Sequence, residues 1–176
     1  MKYLFGLIIT ASVLLQTNVS LQAQNLSTTI KIQAMEMARA VLEKDPNKLI
    51  PYLPPKLVEE AGGKEKLIAA RDTLNKYMKQ FGGEIKRVTI GNPGPIVKYK
   101  KQLQSTVPQT TQLKLMAALI TLESTLVAIS EDNGAHWYFV DNAIYGEQKI
   151  KSALPDLSPE LVIPPMKKPV ITSAEE

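Results

Sequence analysis

The hydrophobic pattern of this chain changes period at Gly82-Gly83, and the change restricts it to helices followed by a sheet. Upstream, Ile30, Ala34, Met37, Ala38, Val41 and Leu42 recur at helical spacing, with Lys31, Glu36, Arg39, Glu43 and Lys44 largely off that stripe. Ser27 or Thr28 is expected to cap this helix. Asp45-Pro46 is expected to end it, because proline disfavours helical geometry in the residue before it. Pro51, Pro54 and Pro55 punctuate a connector, and Pro55 suits the first turn of a short helix that Gly62-Gly63 stops. A third helix is predicted over residues 64–80, with Leu67, Ile68, Leu74, Tyr77, Met78 and Phe81 as its buried side.

Downstream the reading turns to strands. Residues 84–90 alternate as a half-buried strand, and Gly91-Asn92-Pro93-Gly94-Pro95 is a strong turn signal. A second strand over 96–107 carries Lys98, Lys100 and Lys101, and 108–111 reads as a polar turn. In the apolar run 113–130, Ile120, Thr121, Thr125, Val127 and Ile129 favour one bent strand or two shorter ones over a helix. Glu131-Asp132-Asn133-Gly134 marks a reversal into a last strand over 135–141. Its alternation places His136, Tyr138 and Val140 on one face, and Trp137, Phe139 and Asp141 on the other. A short helical turn is expected over 147–154. Beyond it, Pro155, Pro159, Pro164, Pro165 and Pro169 are expected to exclude regular structure, and 172–176 reads as a frayed end. Helices before strands make an α+β order.

Residues 1–23 read as a cleavable secretory signal. Lys2 supplies the basic start, 4–15 an apolar core, 16–22 a polar exit, and Ala23 the last residue before cleavage. The apolar core is too short for a permanent bilayer span, which needs about 20 residues. The alternative is a buried N-terminal helix. The domain plan is thus a signal over 1–23, one α+β domain over 24–154, and a Pro-rich extension over 155–176. The expected location is the periplasm or the medium, with no membrane anchor after cleavage. The chain has no cysteine. It therefore lacks disulfide staples, cysteine nucleophiles, thiol redox chemistry, Cys-type zinc sites and an N-terminal lipid-bearing cysteine. The formal charge of +4 loses one unit with Lys2. Only Tyr99 interleaves the basic run, so Lys98, Lys100 and Lys101 read as a solvated strand face and no nucleic-acid partner is expected.

The first helix with its exit (AMEMARAVLEKDPNKLIPYL, residues 34–53), the Gly62-Gly63 break and the final hairpin EDNGAHWYFVD (131–141) resemble the NTF2-like (cystatin-like) superfamily. The resemblance spans roughly 27–141. It implies a long helix lying across a cone-shaped antiparallel sheet, and a family that holds dehydratases, isomerases and non-catalytic binding modules alike. The Pro-rich extension departs from that pattern and bears on whether the mouth of the cone is open.

Function must then come from pocket residues. Candidates for acid–base chemistry are Glu123, the most unusual carboxylate because it lies in an apolar run, the single His136, and Tyr138 on the histidine's face. Trp137 and Tyr138 are candidates to line a ligand site, with a core position the commoner fate of such a tryptophan. One histidine without clustered carboxylates supplies no ordinary zinc site, and neither glycine pair makes a phosphate loop, so no metal and no cofactor are expected. The reading preferred is an exported, non-catalytic binding or accessory module for a small apolar ligand or a protein partner. A small pocket enzyme of isomerase or dehydratase type is the second reading, and an envelope protein that dimerises through its sheet is the third.

Overall fold

The computed structural model describes residues 4–173. A long helix α1 (Leu4–Leu42) is followed by α2 (Pro46–Leu49), a 3-10 turn (Ile50–Tyr52), α3 (Pro55–Glu60) and α4 (Lys64–Gln80). The strands are β1 (Gly83–Ile90), β2 (Val97–Tyr99), β3 (Gln102–Leu115), β4 (Ala118–Ser130) and β5 (Tyr138–Asp141). Two short helices, α5 (Asn142–Tyr145) and α6 (Glu147–Ala153), precede a last strand β6 (Val170–Ser173).

β3 and β4 form one long antiparallel hairpin at the centre of a six-stranded sheet. β1 and β2 lie end to end along the free side of β3, and β5 and β6 do the same along β4. The sheet is strongly curled, and α1 packs against it, so the fold is an α+β cone of helix on curved antiparallel sheet. A bulge between Ile85 and Arg87 adds to the bend.

Two cores sit on the two faces. On the inner face Ile30, Ala34, Met37 and Ala38 of α1 meet Val107, Leu126, Ala128, Trp137 and Phe139. On the outer face Val127, Ile129 and Val140 are covered by Leu57, Ile150, Leu161 and Ile163. Gly134 shows how closely α1 approaches the β4–β5 loop. A Cβ there would stand 2.2 Å from Leu26, and its φ of +92° already disfavours a side chain.

Several expectations are corrected. Ser27 and Thr28 cap nothing, since α1 runs unbroken from Leu4; Thr28 and Thr29 return their hydroxyls to the carbonyls of Gln24 and Asn25 inside the helix. Of residues 1–23, the first three lie outside the described residues, and the backbone of the rest continues α1. Asp45 does end that stretch, by capping α2 through Asn47 and Lys48. The strand expected over 96–107 is broken by a tight turn at Lys100-Lys101, where Lys100 takes a φ of 51° without any glycine or asparagine to announce it. Pro108 makes no turn. Its carbonyl accepts from Gly91 N–H (2.8 Å) at the end of β1. A strand residue turns its N and C=O to the same neighbour, so the absent donor falls where β1 stops.

The Pro-rich segment is ordered against the outer face. Its prolines lack N–H groups, so amide side chains hold it in place of a ladder. Buried Gln104 donates to Asp156 O (2.7 Å) and accepts from Ser158 N–H (2.8 Å), and Asn142 donates to Pro164 O (2.8 Å). Val170–Ser173, part of it expected to fray, pairs with β4 instead, while residues 174–176 lie outside the described residues. In α4, Leu74 and Tyr77 are exposed, as is Phe81 just beyond its end, and no residue of the helix is fully buried. The helix carries a narrow apolar stripe on an otherwise polar surface, and it touches only β1, α2 and α3 to any extent.

Candidate functional site

A cavity of about 270 Å³ opens on the inner face, between α1, α4, α5 and the curled sheet. Its apolar wall is built from Met37, Val41, Leu53, Val88, Leu122 and Phe139, and its polar groups are Gln109, Ser124, Asp141 and Arg71. A smaller cavity of about 100 Å³ adjoins it, sharing Val41, Leu49, Arg71 and Ile85.

The polar wall follows from strand register. Gln109 and Ser124 are direct partners on β3 and β4, and both face inward because Val107 and Leu126, two residues away, are in the inner core. Asp141 ends β5, opposite Leu126. It also caps α5, with Oδ1 accepting from Ala143 N–H (2.9 Å). Gln109 Nε2 donates to Asp141 Oδ2 (2.7 Å) and lies 3.4 Å from Ser124 Oγ. Burial raises the carboxyl of Asp141 above its ordinary range; the Ala143 N–H and the side chains of Ser124 and Gln109 pull against that rise. The result is one carboxyl group, held on two sides, on the polar wall of a mostly apolar chamber.

The residues singled out from sequence lie elsewhere. Glu123 is exposed on the opposite face of β4 and pairs with Lys167 Nζ (2.6 Å). His136 sits half-buried ahead of β5, its Nε2 2.9 Å from Pro51 O, stacked near Tyr52 and edge-on to Tyr138. Tyr138 faces outward, lining a shallow depression with Pro54, Gln102 and Asp156. Trp137 is 0% exposed, its backbone N–H on Gln33 Oε1 and its indole N–H on Gly134 O. None of the four lines the inner cavity. Close by, Tyr52 donates to Glu36 Oε2 (2.7 Å); burial, then that hydrogen bond, push its phenol up to about 12.

Asp141, Gln109, Ser124 and Arg71 are the residues missed. Alternation had set Asp141 on the face of Trp137 and Phe139, which is the cavity face. What it could not supply is the β3–β4 register that brings Gln109 and Ser124 to that carboxyl. Among the described residues no group of three or more His, Asp or Glu converges as a metal site, and no helix is long and apolar enough to cross a membrane. Comparison of the chain with protein-family models, curated proteins and solved structures finds no match.

Proposed function

We propose that this protein is an exported binding module of NTF2-like type that holds a small apolar ligand bearing one polar group. The observation that carries the reading is the inner cavity itself: apolar walls with Asp141, Gln109 and Ser124 converging on one side. Concave, mostly apolar sites with a few placed polar groups are the usual form of small-molecule pockets. The carboxyl of Asp141 orients a hydroxyl or amine, and Arg71 offers a cation to an acidic ligand group. The helix-on-curled-sheet order supports the superfamily resemblance, and the Pro-rich segment, lying on the outer face, leaves the inner cavity uncovered by it.

A second reading, a proton-transfer enzyme, is favoured by the raised carboxyl of Asp141. It differs from the sequence-based version in its residue, since neither Glu123 nor His136 reaches the cavity.

Native mass spectrometry of the protein purified from its own host tests the proposal in one measurement. The expected mass lacks about the first 23 residues and carries a bound small molecule, which Leu122→Trp excludes by filling the chamber. An intact N-terminus sinks the export reading, and an empty cavity with no ligand-induced stabilisation sinks the binding reading. Asp141→Asn then separates the two activities. Binding of a hydroxyl-bearing ligand survives it, because the amide oxygen still accepts, whereas turnover of the trapped molecule would fall by about a hundredfold or more with a lost general base.

A further inference from the structure

Arg71 stands on the partition between the two cavities of the inner face. On α4, Arg71, Leu74, Asn75 and Met78 share one helical face and line the smaller cavity, and of the four Arg71 alone also lines the larger one. α1 shows the same order: Met37 lines the larger cavity, Val41 both, and Lys44 the smaller. So does β1, with Val88 in the larger, Ile85 in both and Gly83 in the smaller. The larger chamber therefore has a direction. Ile85 pairs with Leu113 and Ile90 with Gln109, so the end where Arg71 stands and the end of Gln109 and Asp141 are four residues of β3 apart, about 13 Å along the strand.

The two ends differ in how their charges are already engaged. At the far end both oxygens of Asp141 are held from within, Oδ1 by Ala143 N–H and Oδ2 by Gln109. At the near end the acids have partners and the cations have none. Asp45 accepts from the N–H groups of Asn47 and Lys48, and Glu84 is paired with Lys86 (2.5 Å). Among the described residues neither Arg71 nor Lys44 forms an ion pair. Arg71 is half-buried, and its planar guanidinium carries a fork of donors that matches a carboxylate with two bonds at once.

Building on the binding reading above, we propose that the chamber takes a short apolar carboxylate, its charged end held by Arg71 beside Lys44 and its chain lying along Met37, Val88 and Phe139 towards Asp141. The reverse orientation would set the carboxylate against Asp141, with only the neutral Gln109 and Ser124 to offset the repulsion. Asp45 and Glu84 on the wall of the smaller cavity suit a singly charged head better than a doubly charged phosphate. The volume of about 270 Å³ lies just below the range of about 300–1,000 Å³ usual for small-molecule sites, which keeps the chain short.

Calorimetric titration of the full chain with octanoate, and with 1-octanol as the uncharged chain of the same length, tests it. Octanoate is expected to bind more tightly than octanol and to be weakened by salt. Arg71→Met should weaken octanoate roughly tenfold to a hundredfold and leave octanol unchanged, as a lost charged hydrogen bond requires. Arg71→Lys should keep much of the octanoate binding. Lys79→Gln, exposed on the same helix and lining neither cavity, should change nothing. Leu122→Trp should abolish binding of both probes. Equal binding of octanoate and octanol, untouched by Arg71→Met, overturns the carboxylate and leaves the binding reading standing. Octanoate that binds Leu122→Trp as well as the wild type sits elsewhere and overturns it too. Binding of neither probe overturns the binding reading along with it.

Discussion

The two halves of β4 have similar hydrophobicity and opposite fates. Residues 124–130 are buried at each position, whereas 118–123 are half-buried or exposed. The unburied half, ALITLE, is no less apolar than the buried STLVAIS. What differs is the company. The buried half has α1 on its inner face and α3, α6 and the Pro-rich segment on its outer face. The other half has the open cavity on one side and only the exposed strand β6 at its edge. Burial in this fold is conferred by a second layer, and hydrophobicity without one leaves a surface.

Paired truncations along the strand are the sharpest way to break that comparison. Leu126→Ala removes a fully buried side chain of the inner core and should cost about 2–5 kcal/mol. Leu122→Ala, four residues away on the same face, should cost about 1 kcal/mol or less. Equal losses in denaturant melts would erase the distinction between the halves.

A second change probes the boundary between them. Buried Asn142 sits where β5 has ended and β6 has not begun, accepting from Thr125 N–H (2.8 Å) and donating to Pro164 O (2.8 Å). Asn142→Ala strands a buried donor and a carbonyl, and should destabilise by about 1–3 kcal/mol. It should also raise amide exchange at Thr125 and loosen the Pro-rich segment. Exchange unchanged at Thr125 would show that this side chain does not close the seam.

The smallest effect is a pH dependence. The folded chain holds the proton of Asp141 more tightly than the unfolded chain, because burial raises that carboxyl. Stability therefore falls as pH rises from the ordinary carboxylate range through the raised value, and the loss is complete above it. Asp141→Asn keeps a capping side chain and removes the titration. Relative to wild type, its melting temperature should climb with pH across that window and then level off. A difference constant with pH would place the carboxylate in water and weaken the case for the cavity wall.

Much of the element order was legible in advance. The third helix spans Lys64–Gln80 as its stripe indicated, Gly62-Gly63 and Gly82-Gly83 fall at the breaks, and Trp137 and Phe139 share the inner face. The misses share a cause. Lys100-Lys101 and Met116 turn without turn residues because strand pairing closes the chain on either side of them, β2 with β3 at the first and β3 with β4 at the second. Pro108 continues a strand because its missing donor happens to meet the end of β1. Glu123 looked unusual inside an apolar run, but the run is a strand with one wet face, and Lys167 meets it there. The site was the least legible part, since Gln109, Ser124 and Asp141 come from three strands and only their register joins them.

By itself the sequence determined most of the order of helices and strands and the main breaks between them, because periodicity, glycine pairs and prolines act over a few residues. Tertiary structure alone decided which apolar residues became core, which stayed on the surface at Tyr77, Phe81 and Met116, and that Asp141 closes a cavity. Those outcomes depend on strand register and on which layer covers which face, contacts between residues far apart in the chain that no local pattern records.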